Sequence, residues 1–321
     1  MSALAMPSGG LVLDRPFTRA DAYASGLTDR DLRSDRFVRV FRGVHLNRAT
    51  TRTAAIRAQA ALRIAPPSAL VSHQTAAVIW GGAVPPQSVV HITVPKGQDC
   101  QVDGIRTHRY LDMPPPAWHV GVRVTSPERT MCDLARTLDL VELVVLGDRL
   151  VRRDVTTPLR LIQAADEWHG PRRRLVQRAS RLVRPGVDSP PESRLRMLVV
   201  LAGLPEPTVN HIIRNEGTGE WLRRFELAYI ELLLAIEYQG RWHRESDEVW
   251  EGDIERREEL DHRTWRVVEV ISKSLNDDPF RVLQRIELAR RDRGARPTIR
   301  FSEEWRAFFP GAHAARRQRR T

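Results

Sequence analysis

The stretch LLLAIEYQGRWH, residues 232–243, holds the side chains best suited to chemistry. Leu232 to Ile236 reads as a strand buried on both faces, and Glu237 follows it with no turn signal between. Gln239, Gly240 and His243 come next. A second acid, Glu226, stands in the preceding strand-like run WLRRFELAY (221–229). Side chains alternate along a strand, so Leu222, Arg224, Glu226 and Ala228 share one face, and Leu233, Ala235, Glu237 and Gln239 share one face of the next strand. A tight turn near Ile230 and Glu231 makes the two strands antiparallel neighbours. The register is open; where the acidic faces coincide, Glu226 and Glu237 approach each other with Gln239 beyond. Two converging carboxylates repel and lose hydration, and a divalent cation relieves both costs. Oxygen donors without cysteine suit Mg²⁺ or Mn²⁺. Such a pair in a basic chain points to phosphodiester chemistry, in which a cation activates water and neutralises charge building on phosphate.

Each candidate also has a structural role open to it. Glu237 can be a strand-end carboxylate in water, and Glu226 can pair with Arg224 or with an arginine on a neighbouring strand. Glu192 lies in the motif Ser189-Pro190-Pro191-Glu192, a capping box in which Ser189 accepts from the Glu192 amide while Glu192 reaches back. Asp253 sits where a helix N-terminus favours an acid, and His243 can be a surface histidine.

The elements that must position these groups run in order from residue 188. DSPPESRLRMLVVLAGLPEP (188–207) opens with a helix, TVNHIIR (208–214) is a strand, and 221–229 and 232–239 are two more. WEGDIERREELDHRT (250–264) reads as a helix, WRVVEVI (265–271) as a strand and DPFRVLQRIELARR (278–291) as a closing helix.

Upstream, TRADAYASG (18–26) and LTDRDLRS (27–34) read as short helices, the first closed by Gly26, the second capped by Thr28. RFVRVFRGVHL (36–46) reads as extended chain with Phe37, Arg39 and Phe41 on one face and Arg36, Val38, Val40 and Arg42 on the other. Two short helices and a basic hairpin fit a winged helix-turn-helix, with Arg36, Arg39 and Arg42 as phosphate contacts; a small helical cap with an arginine-rich solvent face fits equally. Helices follow at 54–65 and 72–82, a strand at SVVHITVP (88–95), a second at VDGIRTHRYL (102–111) paired with it, and a helix at VTSPERTMCDLARTL (124–138). There Ser126 is the cap, Pro127 the first helical residue and Glu128 an acid the dipole favours. His73, His91 and His108 are scattered along this region, with no catalytic constellation. In GPRRRLVQRASRLVRPG (170–186), Arg174, Arg178 and Arg181 share a helical face that can follow a phosphate backbone; a solvated linker is the alternative.

The chain has 321 residues, enough for two or three domains, and a net charge of +11. An anionic partner follows from that charge, although Lys96 and Lys273 are the only lysines, and so extreme a preference for arginine also reflects a GC-rich genome. Two cysteines, Cys100 and Cys132, in no metal-ligand spacing predict a reducing cytoplasm. The N-terminal residues lack the basic and apolar regions of a signal peptide, and no window has the apolar length to span a bilayer, so the expectation is a cytoplasmic protein with no membrane partner.

Two resemblances arise from these residues. ESRLRMLVVLAGLPEP, RRFELAYIELLLAIEYQGRWHRES, the following helix with an Asp and Arg, and TWRVVEV resemble the PD-(D/E)XK nuclease superfamily, in the branch related to very-short-patch repair endonucleases and labelled DUF559. The resemblance implies an αβββαβα restriction-endonuclease-like domain with Glu226 and Glu237 on the metal, Glu192 or Asp253 assisting through water, and Gln239 and His243 orienting or activating the nucleophile. Asp253 with Arg256 or Arg257 matches the family's helix. Two positions depart from the pattern: Glu226 stands where Asp is usual, and Gln239, not lysine, stands two residues after Glu237. GLTDRDLRSDRFVRVFRGVHL, VHITVP, GIRTHRY and GVRVTSPERTMCDLA resemble the AbiEi-like antitoxin region of type IV toxin–antitoxin systems, which implies a DNA-binding winged helix.

The expectation is therefore an α+β multidomain protein. It comprises a winged helix-turn-helix-like domain at 1–50, a mixed α/β middle domain at 51–170, a basic linker at 171–187, the nuclease-like domain at 188–296 and a basic tail at 297–321. The expected function is Mg²⁺- or Mn²⁺-dependent DNA cleavage or nicking. A catalytically inactive, antitoxin-like DNA-binding regulator is the alternative. A toxin or other protein partner is a third possibility.

Overall fold

The computed structural model describes residues 13–215, 217–239 and 265–311. It is mixed α and β, with sheets of three, five and four strands. The chain divides into two compact units, each discontinuous in sequence: Met1–Thr137 with Gln163–Val176, and Leu138–Ile162 with Gln177–Thr321. Among the described residues no helix is long and apolar enough to cross a membrane.

The first unit begins with β1 (Phe17–Thr18), α1 (Arg19–Ala24), α2 (Asp29–Leu32), β2 (Phe37–Phe41) and β3 (Val44–Asn47). Thr18 and Thr28 cap the two helices in reciprocal boxes with Asp21 and Asp31, which closes both turns locally. Phe17, Ala22, Leu32 and Phe37 form one small core, while Phe41 packs in another with Val44, Ala60 and Ile92. Strict alternation places Phe37, Arg39 and Phe41 together; the structure shifts register between Arg39 and Phe41, and the two phenylalanines are buried in different cores while Arg39 stays exposed. The helix α2 has four residues, barely one turn.

After α3 (Ala54–Leu62) come β4 (Leu70–Val71), α4 (His73–Ile79), β5 (Val90–Pro95), β6 (Ile105–Tyr110), β7 (Ala117–His119), β8 (Val122–Val124) and α5 (Pro127–Leu134). The five strands lie in the order β6-β5-β4-β8-β7. Strands β5 and β6 pair, as the sequence suggests, and they do so in parallel. The start of α5 is also as read: the Ser126 hydroxyl accepts from the Arg129 amide and Pro127 opens the helix.

The second unit contains α6 (Leu140–Arg152), α9 (Pro190–Leu201), β9 (Thr208–Arg214), β10 (Trp221–Tyr229), β11 (Leu234–Gln239), β12 (Arg266–Ile271), α10 (Ser272–Asp277) and α11 (Pro279–Asp292). Between α6 and α9 the chain forms α7 (Pro158–Glu167), in the stretch read as middle domain, and α8 (Arg173–Leu182), where the sequence leaves open a helix or a linker; Val176 and Ala179 of α8 are buried, the apolar stripe that favours the helix. The four-stranded sheet has the order β12-β11-β10-β9. Its two junctions β9–β10 and β10–β11 are antiparallel, and β11–β12 is parallel. Helix α9 packs on β10 and β11.

Further differences concern boundaries. Residues 138–162, read as part of the middle domain, belong to the second unit. The helix α6 packs on α9 there, through a fully buried Arg196 that bonds Asp148 at 2.9 Å, Glu206 at 2.9 Å and the Leu182 carbonyl at 2.9 Å. The segment read as a tail from 297 is folded in part: Trp305 and Phe309 are buried, and the Ser302 amide donates to the Ala202 carbonyl at 2.9 Å. Its aromatic residues outweigh its charge. Strand β11 starts two residues later than read, because Ile230–Leu232 is a 3₁₀ turn closed by Leu233 at φ 47°. Leu233 is therefore an exposed turn residue and not part of a strand face.

Candidate active site

Glu226 and Glu237 stand just beyond the last pair of the β10–β11 ladder, which matches Leu227 with Ile236, Ala228 with Ala235 and Tyr229 with Leu234. There a side chain takes over from the backbone, as Glu226 Oε2 accepts from the Tyr238 amide at 2.7 Å. Glu237 is buried, and its Oε2 accepts from Arg223 Nη2 at 2.8 Å. Arg223 also lies over the Phe225 ring, 5.0 Å from its centre.

Glu192 approaches from α9. It is buried, and its amide donates to Ser189 Oγ at 3.4 Å. Its Oε2 accepts from the Asp188 amide at 3.1 Å, so the returning bond of the expected capping box goes one residue further back than Ser189. The ion pair considered between Arg224 and Glu226 is also redirected: Arg224 Nη2 lies 2.5 Å from Asp188 Oδ2.

Burial pushes the Glu226 carboxyl up to about 8, and the Glu192 and Glu237 carboxylates push the same way, against the Tyr238 amide and the Arg224 guanidinium. Burial likewise raises Glu192, while the Ser189 hydroxyl and the Asp188 amide oppose it. Glu226 therefore holds a proton at neutral pH, and Arg223 neutralises Glu237.

Gln239 ends β11, half-buried and paired with Ile271. Gly240, His243, Asp253, Arg256, Arg257 and the helix read at 250–264 lie outside the described residues. Among the described residues no three His, Cys, Asp or Glu side chains are placed to hold one metal ion.

Of the arginines read as phosphate contacts, Arg36, Arg39 and Arg42 are exposed along β2, with Arg36 over the Phe37 ring at 5.2 Å. Arg174, Arg178 and Arg181 are exposed on α8. Two of these are engaged: Arg178 forms a two-pronged pair with Glu304, and Arg181 donates to the Gln177 carbonyl at 3.0 Å.

The three histidines read as scattered are in fact together in the first unit. His73 stacks on His108 with ring centres 3.5 Å apart, and His91 Nδ1 lies 2.9 Å from His108 Nε2. His73 opens α4 at φ 50°, so its own backbone turns the ring onto the sheet. Burial drives their pKa values down, to about 2 for His73 and about 4 for His91 and His108, so the stack is neutral. Ring edges shared by stacked neutral imidazoles serve packing; a common metal ion would need nitrogens converging in the planes of the rings.

No family model matches the chain. Uncharacterized protein Rv2248 of Mycobacterium tuberculosis (strain ATCC 25618 / H37Rv) is 26% identical over 225 residues, covering 66% of this chain and 78% of that protein. Uncharacterized protein MT2308 of M. tuberculosis (strain CDC 1551 / Oshkosh) aligns with the same figures, 26% over 225 residues, 66% and 78%. Among solved structures, the RV2827C protein from M. tuberculosis has a TM-score of 0.38 at 14% identity, covering 63% of this chain and 84% of that one.

Proposed function

We propose that the chain is a divalent-cation-dependent DNA endonuclease or nickase whose site is built on Glu226 and Glu237. The observation that carries this reading is the Glu226 carboxyl, which burial pushes up to about 8 with the Glu192 and Glu237 carboxylates adding to the shift; a cation would replace the proton it holds. Glu226 and Glu237 offer carboxylate oxygens, the donor type that Mg²⁺ or Mn²⁺ takes, from two paired strands, although among the described residues no three acids are placed to hold one ion. Glu226 and Glu237 would hold the ion, which supplies charge neutralisation at the phosphate and a more acidic water. The chain's own residues do the rest. Glu192 adds to the negative field, Gln239 at the strand end can orient water through its amide, and exposed arginines such as Arg36, Arg39, Arg42 and Arg174 carry positive charge for the DNA backbone. The αβββ order with a parallel fourth strand supports a restriction-endonuclease-like reading of the second unit, and with it the resemblance to the DUF559 branch.

Supercoiled plasmid incubated with Mg²⁺ or Mn²⁺ tests the proposal. Nicking or linearisation is expected with metal and not with chelator, and Glu237→Ala should lower the rate by at least about 100-fold while leaving the melting temperature within a few degrees. Metal-independent cleavage, or a Glu237→Ala variant that cuts normally, would reject it.

A second reading, a catalytically inactive DNA-binding regulator with an AbiEi-like N-terminal region, is favoured by one observation: Glu237 already has a guanidinium partner. In that case the chain binds its own promoter, loses binding when Arg36, Arg39 and Arg42 are changed to alanine, and is indifferent to Glu237→Ala.

A further inference from the structure

We propose that His91, His108 and Arg106 form a binding site for a dianionic oxyanion, a phosphate group that is free or carried by a small molecule. The site belongs to the first unit, whereas Glu226 and Glu237 belong to the second, and it owes nothing to the nuclease reading. Alternation along β5 puts Val90, Ile92 and Val94 in an apolar core and turns His91 and Thr93 to the opposite face. Register pairs His91 with Arg106 and Thr93 with His108 on β6, so the four side chains share that face. Helix α4 adds His73, whose ring stacks on His108. A sheet face covered by a helix is ordinarily apolar, yet this one holds imidazoles, a hydroxyl and a guanidinium.

One nitrogen of this face is left over. His91 is 2% exposed, its Nδ1 lies 2.9 Å from His108 Nε2, and its Nε2 has no partner among the described residues. A neutral imidazole carries one proton. When His108 donates across the shared bond, His91 Nε2 holds the proton of its own ring and meets no acceptor. When the bond runs the other way, Nε2 presents a bare lone pair. Either kind of buried group is costly until something meets it. Thr93 Oγ1, fully buried on the same face, is likewise without a partner among the described residues.

The charges around the rings select the ligand. Burial and then Arg106 hold His91 at about 4; burial, His91, Arg106 and Arg136 hold His108 at about 4; and burial, the other two histidines, Arg129 and Arg136 hold His73 at about 2. Asp133, the acid that faces this group from α5, is answered by Arg129 Nε and the Tyr110 hydroxyl, each 2.8 Å from its Oδ1. The field on the rings is therefore positive, and N–H donors inside a positive field attract an anionic oxygen. Arg106, Arg136 and a protonatable ring suit two negative charges better than one. Arg106 is exposed and His108 half-buried on β6, the edge strand, so a small anion has a way in. A phosphodiester of duplex DNA carries one charge and a sugar on either side, which keeps it from a nitrogen as deep as His91 Nε2. A bound dianion favours the charged imidazole, so the His91–His108 pair takes up a proton from solvent as it binds.

Titration calorimetry on the full-length chain at constant ionic strength is the test, with sulfate, inorganic phosphate and glycerol 3-phosphate as probes. Sulfate keeps both charges between pH 6 and 7, so its pH dependence reports the protein's own protons. Uptake of one proton should tighten sulfate binding about tenfold from pH 7 to pH 6. Arg106→Gln should weaken it at least about tenfold and keep the pH dependence, whereas His91→Gln should remove the pH dependence. Arg52→Gln, a change at an exposed arginine ahead of α3, should leave binding as it was. Arg106 is exposed, so its variant carries the test even where His91→Gln fails to fold. Glycerol 3-phosphate that binds as tightly as phosphate assigns an ester as the ligand; an ester that is shut out assigns the free ion. Three results overturn the proposal: no sulfate binding below about 10 mM, equal affinity at the two pH values, or a loss in Arg52→Gln as large as in Arg106→Gln.

Discussion

Burial pushes the Glu226 carboxyl up to about 8, and its titration should be visible in stability. An unfolded chain releases this proton near 4.5, the folded one only near 8. Between those values the folded state holds one proton more, so raising the pH through this window weakens folding. Glu226→Gln keeps the shape without the charge. Its melting temperature should exceed the parent's at pH 8 and match it near pH 4.5, while metal-dependent cleavage is lost; equal pH profiles for the two proteins would contradict this. The histidine stack titrates in the opposite sense. Its members are held neutral with pKa values of about 2, 4 and 4 against 6.5 in the unfolded chain, so stability falls as pH drops below 6.5. Amide exchange in β5 and β6, corrected for intrinsic rates, should accelerate between pH 6.5 and 4 more than in β10 and β11. Equal change in both sheets would refute the link. At this scale the sequence revealed residue types better than neighbours. That Glu226 and Glu237 lie on adjacent antiparallel strands was legible, because strand runs and the short turn between them are local properties. The bond between Arg223 and Glu237 was not, because it joins two strands whose register no local pattern fixes, and the histidines were not, because they come from a helix and two strands whose packing no local spacing encodes.

Helices and strands were mostly legible in their caps. Thr28, Ser126 and Ser189 each cap a helix where a short polar side chain marks its start in the sequence. What the pattern could not give was which elements pack together. The pairing of α6 with α9 turns on one buried cluster: Arg196, fully buried, answered by Asp148 and Glu206, with Ser193 donating to Asp148 at 2.8 Å. Removing one member leaves a buried charge unanswered, which costs about 3–5 kcal/mol. Asp148→Ala should lose that much in urea unfolding, whereas an exposed pair such as Arg266 with Asp292 should yield less than about 1 kcal/mol when broken. A loss below about 1 kcal/mol at Asp148 would show that the cluster is not what joins the two helices.

The whole chain is organised by contacts that its composition does not reveal. Runs of arginine and proline between 170 and 190 look like a division between domains, but the second unit already includes 138–162. A fragment of residues 188–321 therefore lacks Asp148 and the whole of α6, and should give a disordered amide spectrum by nuclear magnetic resonance. A fragment of residues 138–321 should give a dispersed one. Dispersion from the shorter fragment would mean that α6 is dispensable.

The same interleaving has a consequence for synthesis. Helix α6 leaves the ribosome well before α9, the surface on which its leucines and valines come to rest, has been translated. The earlier unit is itself incomplete until 163–176 has emerged. For that interval the nascent polypeptide carries an unshielded greasy helix, and the interleaved order leaves no simple cut-and-paste joint for recombination.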